Sequence, residues 1–368
     1  MKIQYGKSGN MNFFEQYKER KILITGHTGF KGGWLSIWLD MLGAEIVGYS
    51  LDPIHEDGIF NKSEIGNKIK DYRGDIRDLK KLIEVFNAEK PEIVFHLAAQ
   101  PLVLESYKNP VETFEVNTMG TVNVLEAIRL TPSVKAAVMI TTDKCYENKE
   151  WIWGYRENDQ MGGHDPYSAS KGAAELVIAG YRRSFFHDEN KPAIASVRAG
   201  NVMGGGDWSD NRLVPDIIRA IQNNQTIEIR NPYSTRPWQH VLEPLSGYLK
   251  LGIALLENTH EYAEGWNFGP YSHDAHSVKQ VVENIIDFAK KGHWKYLSSI
   301  EKKHEANLLM LDISKALQKL NWKPTLSFKE RIHFTVDWYF NAIKNSALEF
   351  TQQQIFNFQE LWKLRNEN

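Results

Sequence analysis

The sequence predicts an α/β protein with a doubly wound parallel β-sheet and a smaller C-terminal lobe. Apolar segments of strand length alternate with amphipathic segments of helix length through residues 21–200, and a glycine-rich loop joins the first strand to the first helix. At 368 residues the chain exceeds the usual size of one compact domain. We therefore expect an N-terminal extension over 1–20, a sheet domain over 21–200, and a lobe over most of 201–368 that returns some segments to the sheet.

The glycine-rich loop follows the predicted strand Lys21–Thr25, and a helix is predicted from Trp34 to about Leu42. The loop reads Gly26-His27-Thr28-Gly29-Phe30-Lys31-Gly32. Its glycines allow a tight turn and close approach of the backbone to a pyrophosphate, while the helix N-terminus offers N–H groups to the anion. Strand, loop and helix in this order predict a Rossmann-type dinucleotide site formed by these seven residues.

A second predicted strand, Glu45–Ser50, leads to Asp52. This carboxylate is well placed to accept a hydrogen bond from the 2′-hydroxyl of an adenosine ribose, and it would repel a 2′-phosphate. NAD is therefore favoured over NADP. The alternative is that Asp52 is only a turn residue before Pro53.

The alternation then continues toward the middle of the chain. The predicted elements are Gly74–Asp78, a helix over 79–88, the strand Glu92–Gln100, a helix near 113–130 that carries Asn117, and the strand Lys135–Thr142. Ligands of such sheets bind at the carboxyl ends of the strands. Further cofactor contacts are therefore expected from Asp75, Ile76, Leu97, Ala98, Ala99 and Gln100.

Tyr167 and Lys171 stand four residues apart at the start of a predicted helix, with Pro166 in its first turn. A phenol is a poor base at neutral pH, but an ammonium beside it would lower its pKa and favour proton abstraction from a sugar hydroxyl. The pair is what a dehydrogenase needs. Taken alone it is also common on ordinary amphipathic helices.

Composition limits the partners and the compartment. The formal net charge of −2 gives no electrostatic case for nucleic acid or an anionic membrane. The first ten residues lack the apolar core of a signal peptide, no run is long enough to span a bilayer, and the lone Cys145 fits a reducing compartment. We therefore expect a cytoplasmic protein without membrane, nucleic-acid or metal partners.

With these motifs the chain resembles the extended short-chain dehydrogenases/reductases, and within them the branch of 4,6-dehydratases that act on CDP-glucose. The likeness runs from about Phe13 to Trp338. It rests on the glycine loop and on the segments Ala98–Val103, Asp143–Tyr146, Trp151–Asn158, Asp165–Ser168, Arg198–Val202, Gly204–Trp208, Asn231–Tyr233 and Arg236–Val241.

The resemblance implies a reaction on a nucleoside diphosphate hexose, with CDP-glucose as the expected substrate. NAD would oxidise C4, water would leave across C5 and C6, and C6 would then be reduced. Tyr167 would be the C4 base, Lys171 would lower the Tyr167 pKa and hold the nicotinamide ribose, Thr142 would bind the C4 oxygen, and Asn117 would help to place Lys171.

The elimination would fall to Asp143 as acid and Lys144 as base, because a proton must leave C5 and another must reach the C6 hydroxyl. In the thymidine-nucleotide relatives this pair is Asp-Glu, whereas the CDP branch has lysine. Each charge stabilises the other, which opposes both of the required pKa shifts. The alternative is a surface ion pair after a strand.

The remaining matched segments imply substrate contacts. Asn201 and Arg236 would bind the diphosphate, Arg212 and Leu213 would lie near the base, and His240 lies in a matched motif, where a structural histidine is the alternative. Arg198 is expected to serve structure. Trp151, Trp153 and Trp208 would form apolar walls or core packing.

The chain also departs from the family pattern. Leu104 stands where the family commonly carries arginine, which bears on the hexose, and Ala169 replaces an asparagine between tyrosine and lysine. The stretch beyond about 340 matches little and is expected to form a peripheral helix. The family usually pairs as a dimer through the helix with Lys171 and its neighbour near 113–130, so a homodimer or higher homo-oligomer is expected.

Three other functions stay open at this point. A 4,6-dehydratase of another nucleotide sugar would use the same residues. A nucleotide-sugar 4-epimerase needs Tyr167, Lys171 and Thr142 but has no use for Asp143 and Lys144. A non-catalytic dinucleotide sensor would need none of the five.

Overall fold

The structure, a computed structural model, describes residues 13–257, 259–297, 308–344 and 346–366. Its centre is a seven-stranded sheet whose neighbouring strands are all parallel. The strands are β1 (Lys21–Thr25), β2 (Glu45–Ser50), β3 (Lys70–Arg73), β4 (Ile93–His96), β5 (Ala136–Ile140), β6 (Ala193–Ala199) and β7 (Gly265–Phe268). Their order, β7-β6-β5-β4-β1-β2-β3, confirms the doubly wound fold, and the strand order reverses between β1 and β4.

Helices cover the sheet and build the lobe beside it. The longer ones are α1 (Phe30–Met41), α2 (Leu79–Glu89), α3 (Gly120–Arg129), α4 (Pro166–Phe185), α5 (Leu213–Gln222), α6 (Leu242–Glu257), α7 (Val278–Ala289), α8 (Phe328–Asn341) and α9 (Ala347–Asn366). Short helices span Ile59–Ser63, Val103–Lys108, Pro110–Phe114 and Ser314–Lys319. Small strand pairs join Val202–Met203 to Gln239–His240, Thr235–Arg236 to His276–Ser277, and Ile227–Ile229 to Trp294–Tyr296.

The sheet is buried on both faces, which explains why its strands are nearly continuous apolar runs. Ile22 and Ile24 of β1 pack into one core cluster, while Leu23 packs into the other on the opposite face. This alternation follows from the two-residue period of a strand. In β5 every residue is buried.

Several strands end earlier along the chain than the sequence pattern predicted. Strand β3 is Lys70–Arg73, so Gly74–Asp78 follows it instead of forming it, and β4 ends at His96. The backbone leaves β4 because Gly26 of the neighbouring loop packs against it: a Cβ on Gly26 would lie 2.7 Å from the Ala98 nitrogen. Likewise β5 ends at Ile140, before Thr142. The residues expected to bind ligands therefore lie just beyond strand ends.

The helix expected near 113–130 is not continuous. Pro110–Phe114 leads into a π-helical turn, Glu115–Met119, before α3 begins at Gly120. A π-turn inserts one extra residue in the helical ladder and is frequent at functional sites. Asn117 lies inside this turn and is buried.

The expectation of a peripheral C-terminal helix was wrong. Phe358 and Trp362 of α9 are buried in the main core. Their rings contact Trp38 of α1 and Phe14, with centroid separations of 5.6 Å for Trp38–Phe358 and 6.4 Å for Phe14–Trp362. The N-terminal extension also packs here through Phe14, while its residues 1–12 lie outside the described part of the chain.

Strand β7 returns the chain from the lobe to the edge of the sheet, where it pairs with β6. Within the described ranges, no helix combines the length and apolar character needed to cross a membrane.

Candidate active site

The carboxyl ends of the parallel strands β1, β4, β5 and β6 lie at the same edge of the sheet, next to α4 and the lobe.

The glycine loop follows β1, and its conformation explains two of its glycines. Gly26 has φ of +77°, a left-handed conformation that favours glycine, and a Cβ on Gly32 would lie 2.1 Å from the Gly26 oxygen. The fold of the loop therefore requires glycine at both positions, whether or not a cofactor is bound.

Gly29 differs from these two glycines. It is the N-cap of α1 with φ of −80°, and a Cβ there would meet only the Gly26 oxygen, at 3.4 Å. No side chain caps this helix. A small residue at an uncapped helix N-terminus, where the protein leaves room, fits a pyrophosphate that approaches the backbone. The loop therefore fits the predicted dinucleotide.

The other predicted loop residues are placed as follows. The His27 ring points into the interior, with Nε2 at 2.9 Å from Asp71 Oδ1, so only its main chain could contact a cofactor. The Thr28 hydroxyl lies 2.8 Å from Ser50 Oγ and holds the loop against the end of β2. Beyond β2, the Asp52 side chain is 88% exposed and 3.6 Å from Arg73 Nε, so it is accessible to a ribose.

Asp75 is largely occupied within the protein. Its carboxylate accepts hydrogen bonds from the Arg77 main chain at 2.8 Å and from Arg77 Nη2 at 2.7 Å. Partial burial would raise the Asp75 pKa, but these bonds lower it below its usual value. Ile76 is buried beneath Gly120 and packs against the helix layer.

The loop after β4 is tied to α4 through Asn117. The Gln100 main-chain nitrogen donates to Asn117 Oδ1 at 2.8 Å, and Asn117 Nδ2 donates to the Gln100 oxygen at 3.1 Å and to Ser170 Oγ at 2.9 Å. Ser170 precedes Lys171 directly. Asn117 therefore connects the segment Leu97–Gln100 with the helix turn that carries the lysine.

Tyr167, Thr142 and Asp143 are neighbours at the site. The Thr142 side chain acts to lower the pKa of the Tyr167 hydroxyl, and Thr142 Oγ1 donates to Asp143 Oδ1 at 3.0 Å. All three side chains are buried. The Asp165 carboxylate, which accepts from the Ser168 nitrogen at 2.9 Å, caps α4 and fixes its first turn.

In the protein chain by itself, the pKa of Tyr167 is above its ordinary value and not below it. Burial raises the pKa of Tyr167 to about 12, although Thr142 acts in the opposite direction. The lowering expected from Lys171 stays a prediction. Burial also lowers the pKa of Lys171 to about 8, while Glu175 acts in the opposite direction. The phenol is thus protonated at neutral pH, and most of the lysine is charged.

Asp143 has one satisfied and one unsatisfied oxygen. Its Oδ2 is buried and has no hydrogen-bond partner within the described ranges. Burial raises the pKa of this carboxyl, while Lys144, Thr142 and Arg236 act to lower it. A buried carboxyl with a free oxygen and a raised pKa can hold a proton and donate it. Lys144 is half-buried beside it.

A buried ion pair behind these residues was missed by sequence reasoning. Glu175 accepts from Arg198 Nε at 2.9 Å and Nη2 at 2.8 Å, from Ser196 Oγ at 2.7 Å, and from Thr141 Oγ1. Arg198 Nη1 also donates to the Tyr146 hydroxyl at 2.6 Å. The only sequence signal was a glutamate one helical turn after Lys171. The structure confirms the structural role expected for Arg198.

The predicted substrate residues lie on the lobe side. Arg212 occupies the position before Leu213, where α5 begins, and it donates to Asp207 Oδ2 at 2.9 Å. Its charge acts to lower the pKa values of both Tyr167 and Lys31. The Asn201 main-chain oxygen accepts from the Gln239 nitrogen. The charge of Arg236 acts on Asp143. Arg212 therefore faces the reaction centre more closely than the sequence indicated.

The expectation that His240 binds the substrate was wrong. Its ring is fully buried, 5.6 Å from the rings of both Trp34 and Phe334, and burial lowers its pKa to about 3. It packs in the core as a neutral side chain and has no access to a substrate. The structural alternative is the one observed.

The tryptophans of the matched segments do not form one wall. Trp151 stacks on Tyr155 with centroids 5.2 Å apart, and Trp208 meets Tyr339 edge to face at 5.1 Å. Trp153 is 66% exposed. Leu104 lies half-buried in the helix Val103–Lys108.

No cluster of three or more metal-ligating side chains occurs among the residues that the structure describes.

Comparisons with known proteins identify the family of the chain. A family model described as GDP-mannose 4,6 dehydratase matches residues 23–335. CDP-glucose 4,6-dehydratase of Salmonella typhimurium is 48% identical over 328 residues, which cover 88% of this chain and 91% of that protein.

Two solved structures share the fold. An epimerase from Methanothermobacter thermautotrophicus has a TM-score of 0.78 at 24% identity, covering 93% of this chain and 97% of its own. A dTDP-glucose 4,6-dehydratase from Streptomyces venezuelae has a TM-score of 0.75 at 20% identity, covering 89% and 99%. Because the family model matches most of the chain, the protein belongs to the GDP-mannose 4,6-dehydratase family of extended short-chain dehydrogenases/reductases.

Proposed function

We propose that the protein converts CDP-glucose to CDP-4-dehydro-6-deoxyglucose with NAD as its cofactor. The observation that carries this proposal is the buried Asp143, with its unpartnered oxygen and raised pKa, bonded to Thr142 in the same group of side chains as Tyr167. Oxidation at C4 needs only Tyr167 and Thr142. A proton donor at Asp143 serves the loss of water from C6. The extensive identity to the Salmonella dehydratase supports CDP-glucose as the substrate.

The loop Gly26–Gly32 fits the NAD pyrophosphate, and Asp52 is accessible to the adenosine ribose. The segment Leu97–Gln100 and Asp75–Ile76 would border the cofactor, and Lys171 would hold the second ribose. When bound there, NAD would supply the hydride acceptor for C4 and the hydride donor for C6, and its positively charged ring would add a cation to the site.

Tyr167 would take the proton of the C4 hydroxyl. Since burial raises the Tyr167 pKa to about 12, the phenol needs nearby positive charge to act as a base at neutral pH. The ammonium of Lys171 supplies part of it, and Thr142 would donate to the C4 oxygen as the ketone forms. Asn117 would position Lys171 through Ser170.

Asp143 would protonate the departing C6 hydroxyl, and Lys144 would remove the C5 proton that the neighbouring ketone has acidified. The two steps balance, because Asp143 becomes a carboxylate as Lys144 becomes an ammonium. The opposite charges of these adjacent residues then stabilise each other. In the final step the proton would return from Lys144 to C5, and the proton that Tyr167 took from the C4 hydroxyl would restore Asp143 for the next cycle.

Asn201, Arg212, Leu213 and Arg236 would bind the nucleotide part of the substrate. We accordingly propose that residues 21–200 form the NAD-binding domain and that 201–368 mainly form the substrate-binding lobe. We also propose that the protein is cytoplasmic, because its one cysteine, Cys145, forms no disulfide and so fits a reducing compartment.

The test is incubation of the purified protein with NAD and CDP-, dTDP-, GDP- and UDP-glucose. We expect the CDP sugar to give the ultraviolet chromophore that 4-keto-6-deoxy sugars develop in alkali. Formation of CDP-galactose would instead identify an epimerase, and turnover only with another nucleotide would identify a different 4,6-dehydratase. Binding of NAD without turnover of any sugar would identify a dinucleotide sensor.

We further propose a homodimer formed through α4 and the helices near it. Large apolar side chains are exposed there, including Val111 at 71%, Met119 at 53% and Leu176 at 63%. An exposed apolar patch of this kind marks a protein contact. Leu176→Glu should convert the protein to a monomer in light scattering, and a wild-type monomer would contradict the proposal.

A further inference from the structure

We propose that Lys31 binds the diphosphate of the nucleotide sugar and closes that subsite together with Arg212. Its position in the glycine motif assigns Lys31 to the cofactor loop, but its side chain serves the substrate. This inference rests on the proposed function, because it names a substrate contact in the same site.

The first turn of α1 lies against the lobe. A Cβ on Gly204 would lie 3.0 Å from the Phe30 ring, and Trp34 Nε1 donates to the Gly205 oxygen at 2.9 Å. Lys31 lies between Phe30 and Trp34 on this turn. It therefore leaves the helix where the cofactor loop meets the segment that continues to Asp207 and Arg212.

The charges around Lys31 belong to the reaction site. The charges that act most strongly on its ammonium are those of Arg212, Asp143, Lys171 and Asp207. Asp143 and Lys171 belong to the proposed reaction centre, and Asp207 holds Arg212 on the lobe side. This neighbourhood favours a contact with the substrate.

Lys31 also lacks an anion of its own. It makes no hydrogen bond or ion pair with any residue in the described part of the chain, whereas Arg212 is bonded to Asp207 at 2.9 Å. Burial and the nearby Arg212 lower the pKa of Lys31 to about 8. Two cations whose charges act on each other favour an anion between them, and a diphosphate is the anionic part of the substrate.

The experiment measures dissociation constants by calorimetry for CDP, cytidine and NAD. Lys31→Met should weaken CDP binding by about 10- to 100-fold, the usual weight of one charge-assisted hydrogen bond. Binding of cytidine and NAD should stay unchanged, because neither uses this ammonium. Lys31→Arg should restore CDP binding, and Lys80→Met, at an exposed lysine of α2, is the matched control.

Unchanged CDP binding in Lys31→Met would overturn the proposal, and so would a loss confined to NAD, which would return Lys31 to the cofactor. If Lys31→Met does not fold, Lys31→Gln serves in its place, with the melting temperature as the check. If the wild-type protein prefers another nucleoside diphosphate, the proposed substrate fails. The Lys31 variants are then tested with that diphosphate, so the two failures remain distinguishable.

Discussion

Replacing Glu175 by glutamine should strongly destabilise the protein, because it removes one charge from a buried ion pair. The side chains of Arg198 and Glu175 are only 5% and 3% exposed. Glutamine keeps the size and one acceptor oxygen, but it leaves the arginine charge uncompensated in the core. Loss of one partner of such a pair costs roughly 3–5 kcal/mol of unfolding free energy.

The measurement is urea unfolding of both proteins, with Asp40→Asn as the control. Asp40 pairs with Lys68 at 2.9 Å, but this pair is much more exposed, with 24% and 44% of the side chains accessible. Its loss should cost under about 1 kcal/mol. If Glu175→Gln costs no more than the control, the Glu175–Arg198 pair is not a significant source of stability.

The same pair predicts a pH dependence. Burial by itself would raise the Glu175 pKa, but Arg198 and the hydroxyl donors lower it to about 2. The carboxylate therefore contributes stability above its ordinary pKa near 4.5, and this contribution is lost as the pH falls toward about 2. The stability difference between wild type and Glu175→Gln should shrink across that range. A difference that is constant with pH would contradict the ionised state of Glu175.

Five further substitutions test the site and the core. Tyr167→Phe should abolish oxidation of C4 while calorimetry still detects CDP-glucose binding, and near-normal turnover would remove this residue from its role. Asp143→Asn should slow elimination, so that absorbance of reduced nicotinamide accumulates after mixing; an equal loss of oxidation would show another role. Gly29→Ala should weaken NAD binding without lowering the melting temperature. Gly32→Ala should lower the melting temperature, because the added Cβ would lie 2.1 Å from a backbone oxygen. Trp362→Ala should cost about 3–5 kcal/mol in urea unfolding, and a negligible cost would return α9 to the periphery.

The sheet could be predicted from the sequence because its signals are local. Apolar runs such as Ala136–Ile140 and the glycine loop fix strands and their order along the chain, and the handedness of parallel connections then limits the topology. Strand ends were less predictable. Leu97–Gln100 is apolar enough for a strand, but contact of Ala98 with Gly26 directs it away from the sheet.

Long-range packing accounts for most of what the sequence did not predict. The stripe Ile355, Phe358 and Trp362 marks a buried face of α9, but the rings that cover it, such as Phe14, lie far away in the sequence, as do the ring partners of His240. The pKa of Tyr167 follows from burial, which depends on the whole fold, and spacing to Lys171 could not reveal it. Glu175 meets Arg198 through the packing of α4 on the sheet, which sequence spacing does not show.

The Glu175–Arg198 pair links the two halves of the proposed reaction. Through Thr141 it fixes the end of β5, one residue before Thr142 and two before Asp143. Glu175 lies on α4, one turn after Lys171, which itself lies one turn after Tyr167, so the pair also fixes this part of the helix. Oxidation depends on α4 and elimination depends on the end of β5, so both need these elements in register. A conservative change such as Glu175→Asp, which keeps the charge but shortens its reach, should therefore reduce both half-reactions together, whereas Asp143→Asn should separate them.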